Sequence, residues 1–297
     1  MEQGLELAGA LFWFWTKRGL FEEGRLWLER ALVVGVDAPA RLRAVALIGL
    51  SHMDHFQGRQ FETAARATQA LALGSEDAWV LSFALFMQAL AAHECHDFDQ
   101  ARARALDALK AANACDEIVQ RSGPLMILGN VALASGDHER AQQLYEEAID
   151  TSRRAGDTWG LSILLSVAAG LRIVRGDFDC ARSQAAEALA RCHELEDTRG
   201  IAWSLDVFAG LLAAGGLAES AAQLWGAVDG LLDSVGGSLT PTIGWIRDRY
   251  AAPVKASLGD DAFDQARAAG RTMPPEQAIA LARHQTLLLT TPSATTE

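Results

Sequence analysis

The sequence predicts an all-α fold built from stacked helical hairpins. Helix-forming residues dominate and alanine is abundant, whereas the alternating pattern of β-branched residues that marks strands is nearly absent. A glycine-centred motif also recurs with a period of about 40 residues, which is typical of a helical repeat protein. Half of the 297 residues are apolar, so the chain can bury a substantial core.

The repeated motif is clearest in the second half of the chain. The stretches "GDHERAQQLYEEAI", "GDFDCARSQAAEAL" and "GLAESAAQLWGAV" begin at Gly136, Gly176 and Gly216, and an alanine follows each glycine by five positions. The same pattern continues towards the N-terminus with spacings of 40, 37, 40, 40 and 40 residues. The small residues of the six resulting units are Gly24, Ala64, Ala101, Ala141, Ala181 and Ala221.

Each unit has the features of two helices joined by a turn. Asp157 and Asp197 are placed to cap first helices, and the motif glycine can adopt the left-handed conformation that ends such a helix. Small residues in the first helices, at Gly129, Ala169 and Ala209, permit close approach of the second helices. A hairpin of this kind cannot bury its apolar face alone, so neighbouring hairpins must stack.

One unit carries the marks of a known repeat. The segment "LMILGNVALASGDHERAQQLYEEAI", residues 125 to 149, resembles a tetratricopeptide repeat. The matching residues are Leu128, Gly129, Asn130, Gly136, Asp137, Ala141, Tyr145 and Ala148. We therefore expect a right-handed α-solenoid of about six tetratricopeptide-like hairpins over residues 1–232, C-terminal capping helices over 233–285, and a disordered tail over 286–297.

Two further stretches resemble a family of bacterial regulators. The segments "FWTKRGLFEEGRLWLERAL" and "LGDDAFDQARAAGRTMPPEQAIALA" are similar to the two ends of the helical-repeat region in LuxR-type regulators and related signal-transduction ATPases of the STAND, NB-ARC-like class. In that family the repeats sense an inducer or partner and restrain an ATPase. The resemblance implies a protein partner, or parent ATPase and DNA-binding domains, and makes a small-molecule inducer a second candidate ligand.

The chain nevertheless lacks the other parts of such a regulator. It contains no GxxxxGK(S/T) loop to hold nucleotide phosphates, and the 15 residues after Ala282 are too few for a helix-turn-helix domain. We interpret it as a sensing module separated from its partners: a fragment, a truncated gene or a stand-alone paralogue. The alternative is a stand-alone scaffold that binds a partner protein without any link to transcription.

Composition excludes several other classes. The net charge is −12 and only three lysines occur, so we expect no direct nucleic-acid binding. The uncharged apolar runs at 78–92 and 158–171 are shorter than the roughly 20 residues of a membrane span, and the N-terminus lacks the basic start of a signal peptide. We predict a cytoplasmic protein. Its four cysteines lie far apart without a CxxC motif, so we expect reduced thiols buried among helices. They are Cys95, Cys115, Cys180 and Cys192.

Two histidine pairs are the strongest candidates for metal chemistry. His52 and His55, and likewise His93 and His96, are spaced to lie on one helix face, and Cys95 or Asp54 could add a ligand. A metal-dependent enzyme at these pairs is therefore a second alternative. Histidine near a helix C-terminus has an ordinary electrostatic explanation, and no catalytic set stands out. We expect a non-enzymatic protein with no metal and no cofactor.

Two binding surfaces follow from the repeat architecture. Tetratricopeptide solenoids bind ligands along the concave side lined by first helices, so polar residues within those apolar helices are candidate contacts. They are His52, Gln88, Asn130, Ser166, Arg172 and Asp206. The aromatic run of the first helix, in a terminal unit that is not polar, predicts a docking surface for another domain or subunit. Its residues are Phe12, Trp13, Phe14 and Trp15.

Overall fold

The computed structural model describes residues 2–74, 76–114, 117–287 and 289, and this part of the chain is all-α, as predicted. Cys115 and most of the expected tail, residues 286–297, lie outside the described residues. The helices are α1 (Glu2–Arg18), α2 (Phe21–Val34), α3 (Ala40–Phe56), α4 (Gln60–Ala72), α5 (Ala78–Glu94), α6 (Phe98–Ala112), α7 (Ser122–Ala134), α8 (His138–Ala155), α9 (Thr158–Val174), α10 (Phe178–Glu194), α11 (Thr198–Ala214), α12 (Ala218–Ser234), α13 (Pro241–Leu258), α14 (Asp260–Arg271) and α15 (Pro275–Thr286). A short 3-10 helix, Ile118–Arg121, precedes α7.

The helices form two compact units, Met1–Asp157 and Thr158–Glu297. In the first, which we call the N-terminal unit, α1 to α8 make four hairpins, and each first helix packs against the first helix of the next hairpin. In the second, the C-terminal unit, α9 to α12 make two hairpins. Helix α13 then packs on α11 and α9, α14 packs on α12, and α15 packs on α11 and α12. The predicted repeat of six helical hairpins is confirmed.

The turn inside each hairpin contains one residue in the left-handed backbone region. These residues are Gly19, Gly58, His96, Gly136, Gly176 and Gly216, with φ between 60° and 83°. The turns are therefore spaced 39, 38, 40, 40 and 40 residues apart. Thr63, five residues after Gly58, is fully buried, whereas Ala64 is only half-buried. The small position of the second unit is Thr63. Our assignment of Ala64 was wrong because we chose the nearest alanine and did not count five residues from the glycine of the turn.

Aspartates cap both first and second helices of the hairpins. The side chains of Asp97, Asp137 and Asp177 accept hydrogen bonds of 3.1, 3.0 and 3.3 Å from backbone N–H groups at the starts of second helices. Asp77 and Asp197 do the same for first helices, at 3.0 Å each. The predicted cap at Asp197 is confirmed. Each such bond typically stabilises a helix end by about 1 kcal/mol.

Glycine and alanine residues at the contact positions allow the helices to pack closely. A Cβ atom added at Gly129 of α7 would overlap the ring of Tyr145 in α8, and one at Gly24 of α2 would overlap Trp15 of α1 and Met53 of α3. Ala169 and Ala209, the corresponding first-helix positions in the C-terminal unit, are fully buried. Within the described residues, no helix combines the length and apolar character that a membrane span requires.

The left-handed turns predict opposite effects for two substitutions. An added Cβ at Gly216 meets no atom within 4 Å, so Gly216→Ala introduces only backbone strain and should lower the unfolding free energy by about 1 kcal/mol. His96→Gly removes the same strain where a histidine occupies the turn, and should raise that energy by up to about 1 kcal/mol. Urea unfolding of both variants beside the parent chain measures the shifts. Shifts of the same sign would contradict this account of the turns.

Candidate functional site

The N-terminal unit carries a group of contacting rings along its first helices. We call it the aromatic cluster, and its members are Phe12, Trp13, His52, Phe56, Trp79, Phe83 and Phe86. Ring centroids lie 5.0 Å apart between Trp13 and His52, 5.7 Å between His52 and Phe83, and 5.2 Å between Phe83 and Trp79. Most pairs meet edge to face, an arrangement that adds stability beyond the buried area. Helices α1, α3 and α5 therefore share one continuous aromatic surface.

The aromatic cluster has a buried base and a partly exposed top. Phe12, His52, Phe56 and Phe83 are buried, whereas the other three rings are partly exposed. Those three are Trp13, Trp79 and Phe86. The Lys17 ammonium lies 5.8 Å from the Trp13 ring centroid, so a positive charge borders the exposed top. Such a surface can receive apolar or aromatic side chains of a ligand, with an acidic group beside them.

Local glycines make room for the cluster. Phe12 is a large residue where later first helices have small ones, and it fits because its ring lies against Gly49 of α3, where a Cβ would clash. Phe86 of α5 is accommodated in the same way by Gly123 of α7. At Phe12 the usual small residue of a first helix is thus replaced by a large one, and a glycine on the next helix provides the space.

The predicted docking residues do not all reach the surface. Phe12 and Trp15 are only 2% and 5% exposed, so their assignment to a docking surface is wrong. Helical periodicity explains this, since both lie on the side of α1 that faces α2 and α3, together with Leu5. Phe14, on the opposite side, is 51% exposed, and Trp13 belongs to the aromatic cluster.

A different exposed apolar surface is present on the first hairpin. Of thirteen exposed large apolar side chains in the described part of the chain, nine lie between residues 7 and 36. We use the name outer face for five of them, Leu7, Leu11 and Phe14 on α1 with Trp27 and Val34 on α2. We predicted residues 12–15 because they form an aromatic run in the sequence. The spacing of the apolar residues at 7, 11 and 14, which places them on one side of a helix, indicates the exposed surface better.

In the N-terminal unit the predicted groove residues make contacts within the fold. His52 is part of the aromatic cluster, and Gln88 donates a hydrogen bond of 2.9 Å to the Thr68 hydroxyl. The Asn130 side-chain oxygen accepts a bond of 2.8 Å from the Tyr145 hydroxyl, and complete burial raises the pKa of Tyr145. Gln88 and Asn130 thus link neighbouring helices, and their ligand role stays a prediction.

In the C-terminal unit helix α13 covers the first helices. Trp245 and Ile246 lie so close to Gly170 of α9 and Gly210 of α11 that a Cβ on either glycine would clash. The predicted groove residues are again engaged: Ser166 donates to a backbone oxygen at 3.0 Å, Arg172 pairs with Asp177 at 3.2 Å, and Asp206 accepts from Arg247 at 2.7 Å. In this unit the chain itself occupies the face expected to bind ligands.

A buried charge network fixes α13 in place. Arg247 bridges Asp206 of α11 and Asp229 of α12, with 2.7 Å to each carboxylate, and Arg267 of α14 also pairs with Asp229. Burial raises the pKa of Asp206 to about 6, against the opposing effect of Arg247. A buried pair of this kind costs desolvation energy, so it specifies the position of α13 more than it stabilises the fold.

The histidine pairs do not assemble a metal site. His93 is buried, and burial together with the nearby His96 lowers its pKa to about 4. Asp54, a suggested ligand, forms an ion pair of 2.9 Å with Arg59. Across the residues that the structure describes, no group of three or more His, Cys, Asp or Glu side chains is placed to hold a metal ion. Cys95, Cys180 and Cys192 are free thiols. Cys192 is buried as predicted, whereas Cys95 and Cys180 are exposed, so the prediction of burial was wrong for these two.

Comparisons with known proteins identify the fold. No protein-family model and no curated protein sequence matches the chain. Aspartyl phosphate phosphatase F from Bacillus subtilis aligns over 98% of this chain and 74% of its own, with TM-score 0.56 and 13% identity. A Rap protein complexed with competence and sporulation factor aligns over 97% and 100%, with TM-score 0.55 and 11% identity. BtubC (BKLC) from P. vanneervenii aligns over 75% and 92%, with TM-score 0.51 and 15% identity. At these identities the likeness establishes a shared helical-repeat fold.

The buried Asp206 predicts a specific pH dependence. The pKa of Asp206 is higher in the folded chain than the usual 3.8, so the folded state binds the proton more tightly than the unfolded state. The contribution of this carboxyl to the unfolding free energy therefore falls as pH rises from about 4 to 6. The unfolding free energy of Asp206→Asn relative to the parent should therefore increase by roughly 2 to 3 kcal/mol between pH 4 and 7. Urea unfolding at several pH values measures the difference. A difference that is constant with pH would contradict the burial of a titrating carboxyl here.

Proposed function

We propose that this chain is a non-enzymatic helical-repeat module that binds a partner protein by capturing a peptide segment on the aromatic cluster. The observation that carries the proposal is the set of partly exposed rings, Trp13, Trp79 and Phe86, above a buried aromatic base. Exposed aromatic groups backed by a rigid interior are typical of the residues that dominate protein interfaces. The ring surface is extended because hairpins stack side by side, which suits a linear ligand.

The surface indicates the chemistry of the bound segment. Three separate rings suit a peptide with apolar side chains at intervals, as in an amphipathic helix lying in a groove. Lys17 beside Trp13 favours an acidic residue at one end of that segment. The Rap protein among the structural neighbours was solved with a bound factor, which supports ligand capture by a fold of this kind.

We also propose a regulatory context for the module. The resemblance of the segments at 14–32 and 258–282 to the ends of the repeat region in LuxR-type regulators supports a cytoplasmic role as the sensing part of an ATPase-type transcriptional regulator. A stand-alone scaffold would use the aromatic cluster equally well. Sequencing the flanking DNA in the same frame separates the two, since a GxxxxGK(S/T) segment or an encoded helix-turn-helix supports the regulator and the absence of both supports the scaffold.

Peptide selection tests the proposed surface. Peptides selected from a displayed random library on the immobilised full chain should be rich in apolar residues. Trp79→Ala should weaken binding of such a peptide by about tenfold or more, because it removes one of the three partly exposed rings. Isothermal titration calorimetry of the synthetic peptide measures the change.

A matched control lies on another surface of the same unit. Phe61 of α4 is 85% exposed and outside the aromatic cluster, so Phe61→Ala should leave peptide affinity unchanged. Circular dichroism of each variant checks that the helices are retained. Equal affinity for the parent and Trp79→Ala, or no enriched peptide at all, would overturn the assignment of this cluster as a binding site.

A further inference from the structure

The outer face of the first hairpin is a continuous apolar surface on α1. Leu7, Leu11 and Phe14 are spaced by four and three residues, so they form one stripe along the helix, and Leu7 is 62% exposed. Ala10 is also exposed beside this stripe. A concentrated apolar surface of this kind on a folded protein marks an interaction site.

Helix α2 extends the same surface. Glu22 and Glu29 of α2 point towards the next hairpin, where they contact Gln57 and Arg66. Trp27 lies five residues after Glu22, roughly 140° around the helix, so it points away from that hairpin. Val34 follows one heptad after Trp27 and lies on the same side, and both are at least half exposed. The outer face therefore spans two adjacent helices.

The charges bordering the outer face have a regular order. On α1, exposed Glu6 lies towards the N-terminal end and exposed Lys17 towards the C-terminal end, on one flank of the stripe. On α2, exposed Glu23 and Arg30 flank Trp27 in the same order along the chain, but because α2 runs antiparallel to α1 this order is reversed in space. Each edge of the outer face thus has an acid at one end and a base at the other, and each edge is complementary to itself when one copy is reversed.

We propose that the outer face binds a second copy of this chain around a two-fold axis, with each α1 antiparallel to α1 of the other copy. Leu7 of one copy then lies opposite Phe14 of the other, and Ala10 lies opposite Leu11 near the axis. Since residues on one flank stay on that flank under this symmetry, Glu6 of each copy approaches Lys17 of the other. The two hairpins form a four-helix arrangement that covers Trp27 and Val34 as well.

The arrangement of charges around the outer face is the reason for proposing a second copy of this chain as its partner. A two-fold interface uses the same patch twice, so a self-complementary patch is what a homodimer requires. The opposite charges set the antiparallel direction, while the apolar side chains provide most of the affinity. The rings of the aromatic cluster lie on a different side of α1 and stay open to a peptide, whereas Lys17 borders both surfaces and faces Glu6 of the other copy in the dimer.

The mass of the full chain in solution tests the dimer. Light scattering coupled to size exclusion across a dilution series should give twice the chain mass of 31.8 kDa at the higher concentrations. Phe14→Glu should give the mass of one chain, because it buries an unpaired charge in the interface and disturbs no core residue. Phe61→Glu, the same substitution at a more exposed phenylalanine outside the outer face, should leave the dimer intact.

A charge exchange tests the antiparallel direction. Lys17→Glu should weaken dimerisation about tenfold or more, because it faces Glu6 across the axis, and the double variant Glu6→Lys with Lys17→Glu should restore it. A one-chain mass for the parent at every concentration, or a Phe14→Glu variant that still dimerises, would overturn the proposal. Failure of the double variant to restore the dimer would overturn the two-fold antiparallel arrangement. Phe14→Glu leaves the rings of the aromatic cluster unchanged, so it should still bind the selected peptide, and a failed dimer leaves the peptide proposal separately tested.

Discussion

The structure depends on one constraint: a helical hairpin with an apolar face is stable only where another helix covers that face. In the N-terminal unit each next hairpin supplies the cover, and the second half of α3 is buried from Ala46 to Phe56. In the C-terminal unit the cover over α11 comes from α13 and α15 as well as from the neighbouring hairpin. The left-handed turns, the glycine contacts and the aspartate caps all serve to place one hairpin against the next.

The same constraint gives the first helices of the two units different surroundings. Where α13 lies on α9 and α11, it covers much of the first helices, and polar groups such as Asp206 hold α13. Where α1, α3 and α5 lie side by side, three rings stay partly exposed above a packed base. The proposed peptide surface lies there because the hairpin contacts do not bury these aromatic side chains completely.

Features repeated along the chain were predictable from the sequence, whereas features that join helices far apart in the chain were not. The period, the left-handed glycines and the cap at Asp197 are local signals, so the fold class followed from them. The pairing of Asp206 with Arg247, and the contact between His52 and Trp13, depend on how neighbouring helices are rotated and stacked. Polar residues within apolar helices, such as Asp206 and His52, were predicted to contact a ligand from their residue type. Only the packing of the helices shows that they contact other residues of the same chain.

The outer face shows how one pattern can be read in two ways. A run of five large apolar residues, Leu11 to Trp15, looks like a single surface, yet a helix distributes consecutive residues around its whole circumference. Phe12 and Trp15 consequently stabilise the hairpin from inside, Trp13 joins the aromatic cluster, and Leu11 and Phe14 remain on the outer face. One short segment thus contributes to the core, to the proposed peptide site and to the proposed dimer interface, and the direction of each side chain decides which.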